Sequence, residues 1–164
     1  MLIYTLIEIT SAPNNSDFVF SVAFPVSRHR EVMGVSGKKP VVGKEALFIA
    51  PSANIVGDVN IADNTGIFYG AVVNGSIAKV VIGENSMIKD RAVLAANIPG
   101  ASITIGKNVM VGSGAVIGAA TVEDDAHVGM GAYLGDGVVV KSGAYVAPGS
   151  VVAAKTIIPA RQVI

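Results

Sequence analysis

The sequence of 164 residues contains no cysteine and no tryptophan, and it has no apolar run long enough to span a bilayer. The absence of cysteine excludes disulfides, thiolate nucleophiles and cysteine-ligated metals. The apolar stretch 18–26 is interrupted by Ser21 and is far shorter than the ~20 residues of a membrane-spanning helix. Twelve basic and twelve acidic residues cancel, so the chain lacks the positive charge expected of a nucleic-acid-binding protein.

What the sequence has instead is a period of six. In the C-terminal part of the chain an aliphatic residue returns at every sixth position without a miss. Eight residues form this series: Val122, Val128, Leu134, Val140, Val146, Val152, Ile158 and Ile164. Six is a multiple of the strand period of two but not of the helix period of 3.6, so these residues share one face of an extended chain. Short strands with one inward position cannot bury it alone, and we therefore expect successive units to coil and stack.

Small residues mark the places where such a coil must turn. Glycine falls three positions after the aliphatic residue, at Gly131, Gly137, Gly143 and Gly149. The next position is also small in most units, as at Ala132. The aliphatic series and the glycine series both predict an all-β fold, a β-solenoid built from hexapeptide repeats.

The same spacing continues upstream with interruptions. The earlier aliphatic positions are Ile49, Ile55, Ile61, Ile67, Val73, Ile82, Ile88, Leu94, Ile105, Val111 and Ile117. The longer spacings predict loops that protrude at about 74–81 and 95–104, where partners or substrates would be met. We divide the chain into an N-terminal extension (1–26), expected as an edge strand or as disordered chain, a basic lead-in (27–48) and the β-helix domain (49–164).

Two long stretches resemble the gamma-class carbonic anhydrases in hexad phase, in both loop positions and in the five-residue slip before Val122. They run from 50 to 97 and from 103 to 140, and the resemblance covers about residues 40–164. The motif Ser-Arg-His-Arg at 27–30 resembles more closely the carbonic-anhydrase-like subunits of mitochondrial complex I. The resemblance implies a left-handed parallel β-helix of triangular cross-section that assembles as a trimer.

Members of this family that hydrate carbon dioxide hold a metal with three histidines at the interface between neighbouring subunits. Neutral imidazoles suit zinc because they leave a fourth position open for water. The aligned positions in this sequence are Ala95, Ser113 and Gly118, and none of them can bind zinc as an imidazole does. We therefore expect no metal site, no cofactor and no catalytic residue.

The residues that accompany the histidines in the family also differ. Where the family carries an arginine and an aspartate, this chain has Asn74 and Ser76, and where the family carries a glutamine it has Lys89. Of this group only Asp90 matches. The resemblance therefore implies a noncatalytic structural subunit. Its expected partners are related gamma-carbonic-anhydrase subunits, in a homotrimer or heterotrimer, and membrane-arm subunits of complex I at the matrix face of the mitochondrial inner membrane.

Two other functions stay open from the residues. Hexapeptide-repeat acyltransferases or thioesterases bind coenzyme A and use a histidine as general base, a role that only His127 could take in the solenoid, oriented by Asp124 or Asp125. An active gamma carbonic anhydrase with nonstandard ligands is the third reading. The chain has only His29 and His127, so it cannot assemble three imidazoles by itself.

Overall fold

The computed structural model describes residues 32–45 and 47–164. The predictions for residues 1–26 and for His29 lie outside these residues. The described chain contains short strands and no helix, so it also contains no helix that could cross a membrane. The strands are β1 Val32–Met33, β2 Val41–Val42, β3 Phe48–Ile49, β4 Asn54–Ile61, β5 Gly66–Ile67, β6 Val72–Ile82, β7 Met87–Ile88, β8 Val93–Ala95, β9 Ser102–Ile105, β10 Met110–Val111, β11 Val116–Ile117, β12 Thr121–Val122, β13 His127–Val128, β14 Tyr133–Leu134, β15 Val139–Val140, β16 Tyr145–Val146, β17 Val151–Val152 and β18 Ile157–Ile158.

The strands form a left-handed parallel β-helix with three faces, as predicted. Face 1 consists of β8, β11, β14, β17 and the first halves of β4 and β6. Face 2 consists of the second halves of β4 and β6 with β9, β12, β15 and β18. Face 3 consists of β3, β5, β7, β10, β13 and β16. Every ladder between these strands is parallel, because each coil lies directly on the previous one.

The period-six residues form three stacked interior columns, one behind each face. The face 1 column is Ile55, Val73, Leu94, Ile117, Leu134 and Val152, the face 2 column is Ile61, Ile82, Ile105, Val122, Val140 and Ile158, and the face 3 column is Ile49, Ile67, Ile88, Val111, Val128 and Val146. All are buried except Ile49, which is partly buried. Burial of each such side chain is worth about 1.5–3 kcal/mol.

One residue of the predicted series is not in the interior. Ile164 continues the face 3 column beyond Val146, as the bridge between Tyr145 and Val163 places it, but it is 45% exposed. Ile164 therefore keeps the predicted register but is not buried, because no described coil lies beyond it.

The corners use the left-handed backbone conformation that the glycine register predicted. Gly131 has φ +64° and Gly143 has φ +68°, a region that glycine enters without a steric cost. Other corners place asparagine there, as at Asn64, Asn85 and Asn108, which is the non-glycine residue that tolerates this region best.

The two predicted loops differ in kind. Residues 96–101 leave the sheet between β8 and β9, which confirms the second loop in a narrower range. The first was predicted as a loop over 74–81, but this segment is part of β6, which continues around the corner from face 1 to face 2. The extra residues form a bulge opposite Asp58 in β4, and a bulge adds residues without ending the strand.

Candidate functional site

Two of the three positions aligned with the family's metal ligands are neighbours at one end of face 1. Asn74 of β6 pairs with Ala95 of β8, and the pairing of β8 with β11 places Gly118 beside Ala95. Adjacent parallel strands lie about 4.8 Å apart. Ala95 and Gly118 therefore share one small patch of outer surface.

Ser113 lies at the opposite edge of face 1. It belongs to the corner between face 3 and face 1, and β11 separates it from Gly118. Ser113 and Gly118 therefore lie at opposite sides of face 1. The resemblance implies that such positions meet where two subunits contact each other.

The side chains at these positions offer little to a cation. Ala95 has only a methyl group, Gly118 has no side chain, and Ser113 supplies one neutral hydroxyl. Within the part of the chain that the structure describes, no group of three or more histidine, cysteine or carboxylate residues is arranged to hold a metal ion.

Gly118 is packed closely against the next coil. A Cβ atom on Gly118 would lie 2.5 Å from Asp136 Oδ1, and this oxygen accepts a hydrogen bond of 2.7 Å from the Ala119 amide. Any side chain at position 118 therefore requires the Asp136 carboxylate to rotate.

The accompanying polar residues have contacts within the chain. Asn74 Oδ1 accepts hydrogen bonds from the amide and the hydroxyl of Ser76, so these two residues satisfy each other. The ammonium of Lys89 lies 4.3 Å from the centroid of the Phe68 ring, a cation–π arrangement.

Asp90, the residue that matches the family, joins three coils at one corner. Its Oδ1 accepts a hydrogen bond of 3.1 Å from the Tyr69 amide, and its carbonyl accepts one of 2.9 Å from the Gly114 amide. Asp90, Arg91, Ser113 and Gly114 line a shallow hollow there. The Asp90 carboxylate therefore helps to fix the turn at this corner.

The alternative function, an acyltransferase or thioesterase that uses coenzyme A, requires a carboxylate beside His127. His127 is partly exposed on the outer side of face 3, as predicted, and its ring centroid lies 5.0 Å from that of Tyr145. Asp124 Oδ1 accepts from the Lys107 amide at 2.7 Å, and Asp125 Oδ1 accepts from the Asn108 side chain at 3.1 Å. Both carboxylates bind the coil below, so the structure does not bring together the predicted base and its orienting group.

Sequence reasoning missed the distribution of charge over the three outer faces. From β4 to β17, in the part of the chain that the structure describes, no outward residue of face 1 is charged: Asn54, Val56, Val72, Asn74, Val93, Ala95, Val116, Gly118, Tyr133, Gly135, Val151 and Ala153. Face 3 carries one charged outward residue, Lys89, whereas face 2 carries the ion pair of Glu123 and Lys141 at 2.6 Å. The sequence already contained this distribution, in the residues directly before and after each inward aliphatic residue.

Charge is concentrated at the corners that border face 2. The corner between faces 2 and 3 includes Glu84, Lys107 and Asp124, and Glu84 and Lys107 form an ion pair of 3.0 Å. The hydrogen bond and the charge of Glu84 raise the pKa of Lys107 above its ordinary value. Among the described residues, the corner between faces 3 and 1, in contrast, carries only Asp90 and Arg91.

Comparison with known proteins agrees with the fold. Residues 102–135 match the model of the hexapeptide repeat of succinyl-transferase, and residues 119–154 match that of the bacterial transferase hexapeptide (six repeats). The crystal structure of a hexapeptide transferase family protein from Anaplasma phagocytophilum is similar with a TM-score of 0.76 and 32% sequence identity. That similarity covers 80% of this chain and 76% of the other.

Two curated relatives come from Arabidopsis thaliana. The chain is 44% identical over 69 residues to "Gamma carbonic anhydrase 1, mitochondrial" and 47% identical over 78 residues to "Gamma carbonic anhydrase 2, mitochondrial". These matches cover 42% and 46% of this chain but only 25% and 28% of the relatives' own lengths. With the hexad columns and the similarity to the Anaplasma phagocytophilum structure, the family models show that the chain belongs to the hexapeptide-repeat proteins, and within part of its length it is similar to gamma carbonic anhydrases.

Proposed function

We propose that this chain is a noncatalytic, structural member of the gamma carbonic anhydrase family. The observation that carries the proposal is the residue set Ala95, Ser113 and Gly118 at the ligand positions. Zinc-hydroxide chemistry requires ligands that bind the ion and lower the pKa of its water. A methyl group, a neutral hydroxyl and a bare backbone supply neither function.

The distribution of charge supports a trimer. Faces 1 and 3 meet at one corner, and their outer surfaces carry a single charged residue between them, Lys89. Two different faces that are both poor in charge suit a heterologous contact, in which face 1 of one subunit packs on face 3 of the next and the ring closes. Large exposed apolar side chains on face 1, such as Tyr133 and Val151, would then be covered.

A shared site has a consequence for mixed trimers. The positions of Ala95 and Gly118 would face one neighbour, and the position of Ser113 would face the other. Each copy of this chain therefore removes ligands from both interfaces that it touches. In a trimer with two histidine-bearing relatives, at most the interface between those two relatives could hold a metal.

We propose a mitochondrial location, at the matrix face of the inner membrane, as part of the carbonic anhydrase module on the membrane arm of respiratory complex I. The support is the similarity to Arabidopsis relatives whose names include "mitochondrial" and the motif resemblance at 27–30. In this role the rigid β-helix would act as a scaffold for assembly.

Two measurements test the proposal. A tag on this chain is used to isolate the native assembly, and the copurifying proteins are identified by mass spectrometry. Recovery of respiratory-complex subunits together with related gamma-carbonic-anhydrase chains is the expected result. Recovery of a lone homotrimer that turns over bicarbonate or a thioester would contradict it, as would stoichiometric zinc that survives dialysis of the purified chain.

A further inference from the structure

Asn74 is followed by Gly75, and this is the single Asn-Gly pair in the 164 residues. Asparagine is a thermolabile residue, because the backbone nitrogen of the next residue can attack its side-chain amide. A side chain on that next residue hinders the attack, and glycine has none. The pair lies in β6, at the outer edge of face 1. It is therefore the place where the sequence hinders this attack least.

The fold requires the glycine at position 75. A Cβ atom there would lie 2.4 Å from the carbonyl oxygen of Asp58 in the coil below and 2.8 Å from its amide nitrogen. These are backbone atoms, which cannot give way as a flexible side chain can. Glycine is the residue that permits such a close approach of two backbones. The unhindered neighbour of Asn74 is thus a consequence of how β4 packs on β6.

Two hydrogen bonds hold the Asn74 side chain over this glycine. Asn74 Oδ1 accepts from the Ser76 amide at 3.0 Å and also from the Ser76 hydroxyl. Gly75 lies between the two residues that these bonds join, so its nitrogen is close to the Asn74 Cγ atom. Asn74 is half-buried and Ser76 is exposed, so water reaches the pair.

The same two hydrogen bonds favour attack at Cγ. When a nucleophile adds to an amide carbon, negative charge develops on the amide oxygen, and donors already placed at that oxygen stabilise it. The Ser76 amide and hydroxyl are such donors. Asn54, on the same face, differs at both points. It is followed by the β-branched Ile55, and its side chain is held through Nδ2, which donates to the Ser52 carbonyl at 3.4 Å.

We propose that Asn74 is a site of spontaneous deamidation in the folded chain. The Gly75 nitrogen loses its proton to water or hydroxide and bonds to Asn74 Cγ. The Cγ–Nδ2 bond breaks, and the side-chain nitrogen takes up a proton and leaves as ammonia. Water then adds to one carbonyl of the cyclic succinimide and breaks a ring C–N bond, which leaves aspartate or isoaspartate. One water is consumed and one ammonia is released, with no oxidation or reduction.

Either product places a carboxylate at the edge of face 1. Position 74 pairs with Ala95 in β8, so the new charge lies beside one of the positions aligned with the family's metal ligands. The other outward residues of face 1 from β4 to β17 are uncharged. Deamidation therefore makes an uncharged face negative without an enzyme, and this inference does not depend on the proposed function.

The test follows the purified full chain during incubation at neutral and at mildly alkaline pH. Peptide mapping by mass spectrometry measures conversion at each asparagine. We expect conversion at Asn74 to be at least tenfold faster than at Asn54. The rate should rise with pH, because the Gly75 nitrogen must lose its proton.

A variant separates the effect of the fold from that of the Asn-Gly pair alone. Ser76→Ala should slow conversion at Asn74 at least threefold in the folded chain. In urea it should leave the rate unchanged, because the hydrogen bonds to Oδ1 are absent there. The matched control is Ser102→Ala, an exposed serine of the next coil, which should convert at the wild-type rate. Thermal unfolding verifies that both variants are folded.

Three results would overturn the proposal. The first is an Asn74 that converts no faster than Asn54 in the folded chain. The second is a Ser76→Ala variant that converts at the wild-type rate when folded or is slowed equally in urea. The third is a Ser102→Ala control that is slowed as much as Ser76→Ala.

Discussion

Faces 1 and 2 have the same backbone and the same interior, yet their outer surfaces differ. Behind both faces an unbroken column of buried Ile, Leu and Val residues supports the strands. Outside, face 1 presents only uncharged residues and includes two of the three positions of the family's metal site. Face 2 presents Glu123 and Lys141 as an ion pair and has charged corners on both sides.

This difference shows which positions of each hexad determine the coil and which determine its outer surface. The inward residue determines the coil, and it is nearly identical in chemistry on all faces. The residues before and after it point away from the column, so the fold constrains their side chains much less. The positions aligned with the family's metal ligands therefore lie outside the interior columns, and under the proposed function face 1 serves assembly.

The largest effect should come from placing histidines at the three positions aligned with the family's metal ligands. The triple variant Ala95→His, Ser113→His and Gly118→His should retain zinc with a dissociation constant at or below about 1 μM, which corresponds to ~8 kcal/mol. Metal content after dialysis measures it. The variant that lacks only the change at Ser113 is the control and should lose the ion. Equal zinc retention by the wild-type chain would contradict the proposal that this chain holds no metal.

A second effect tests whether the two faces are alike inside. Ile117→Ala on face 1 and Ile105→Ala on face 2 should each lower the free energy of unfolding by about 2–5 kcal/mol, because both leave a cavity in a closed column. Urea unfolding measures the loss. The control is Val116→Ala, one residue away but outward, with an expected loss below ~1 kcal/mol. Unequal losses from the two isoleucines would mean that the columns are not equivalent.

The third effect tests whether the faces differ outside. Val116→Lys places a charge on face 1, and we expect self-association, or association with related subunits, to weaken about 100-fold, since a buried unpaired charge is costly. Val139→Lys on face 2 is the matched control and should associate normally. Sedimentation velocity distinguishes them. If the face 2 variant were the weaker one, the assignment of the contact surface would have to be reversed.

The smallest effect concerns the ion pair that only face 2 carries. Lys141, followed by the Ser142 amide, lowers the pKa of Glu123 below its ordinary value of 4.5. A depressed pKa in the folded state gives a stabilising contribution that is present above pH 4.5 and lost as pH falls through the lowered value. Glu123→Gln should therefore slightly reduce stability at neutral pH and flatten its acid dependence.

This prediction is read from urea unfolding at neutral pH and at about pH 3. The effect should be small because the pair is solvent-exposed. If the free energy of unfolding depends on acid in the same way in the variant and the wild type, Glu123 does not contribute to the acid dependence of stability.

Much of the fold followed from the residues alone. The period of six predicted the inward residues and the glycine corners, because a repeated inward residue leaves an extended chain few other ways to be buried. That these residues form three columns was implied by the resemblance, and the period did not show that Ile164 is left partly exposed. It also treated 74–81 as a loop, although a strand can absorb extra residues as a bulge.

The candidate site was predicted less completely. Alignment with the family supplied Ala95, Ser113 and Gly118, but their separation in the sequence did not indicate that the first and last are neighbours and that Ser113 lies across face 1. The suggested partnership of His127 with Asp124 or Asp125 also looked plausible from sequence proximity. Both carboxylates instead cap the coil below, because hydrogen bonds between coils join residues about one turn apart.

The sequence by itself determined that this protein is a stack of short strands around an aliphatic interior, because the side-chain period of an extended chain is a local property. Only the tertiary structure decided how the outward residues are grouped. Residues far apart in the chain become neighbours when each coil stacks on the last, and this stacking joins uncharged positions from six successive coils into the single surface of face 1.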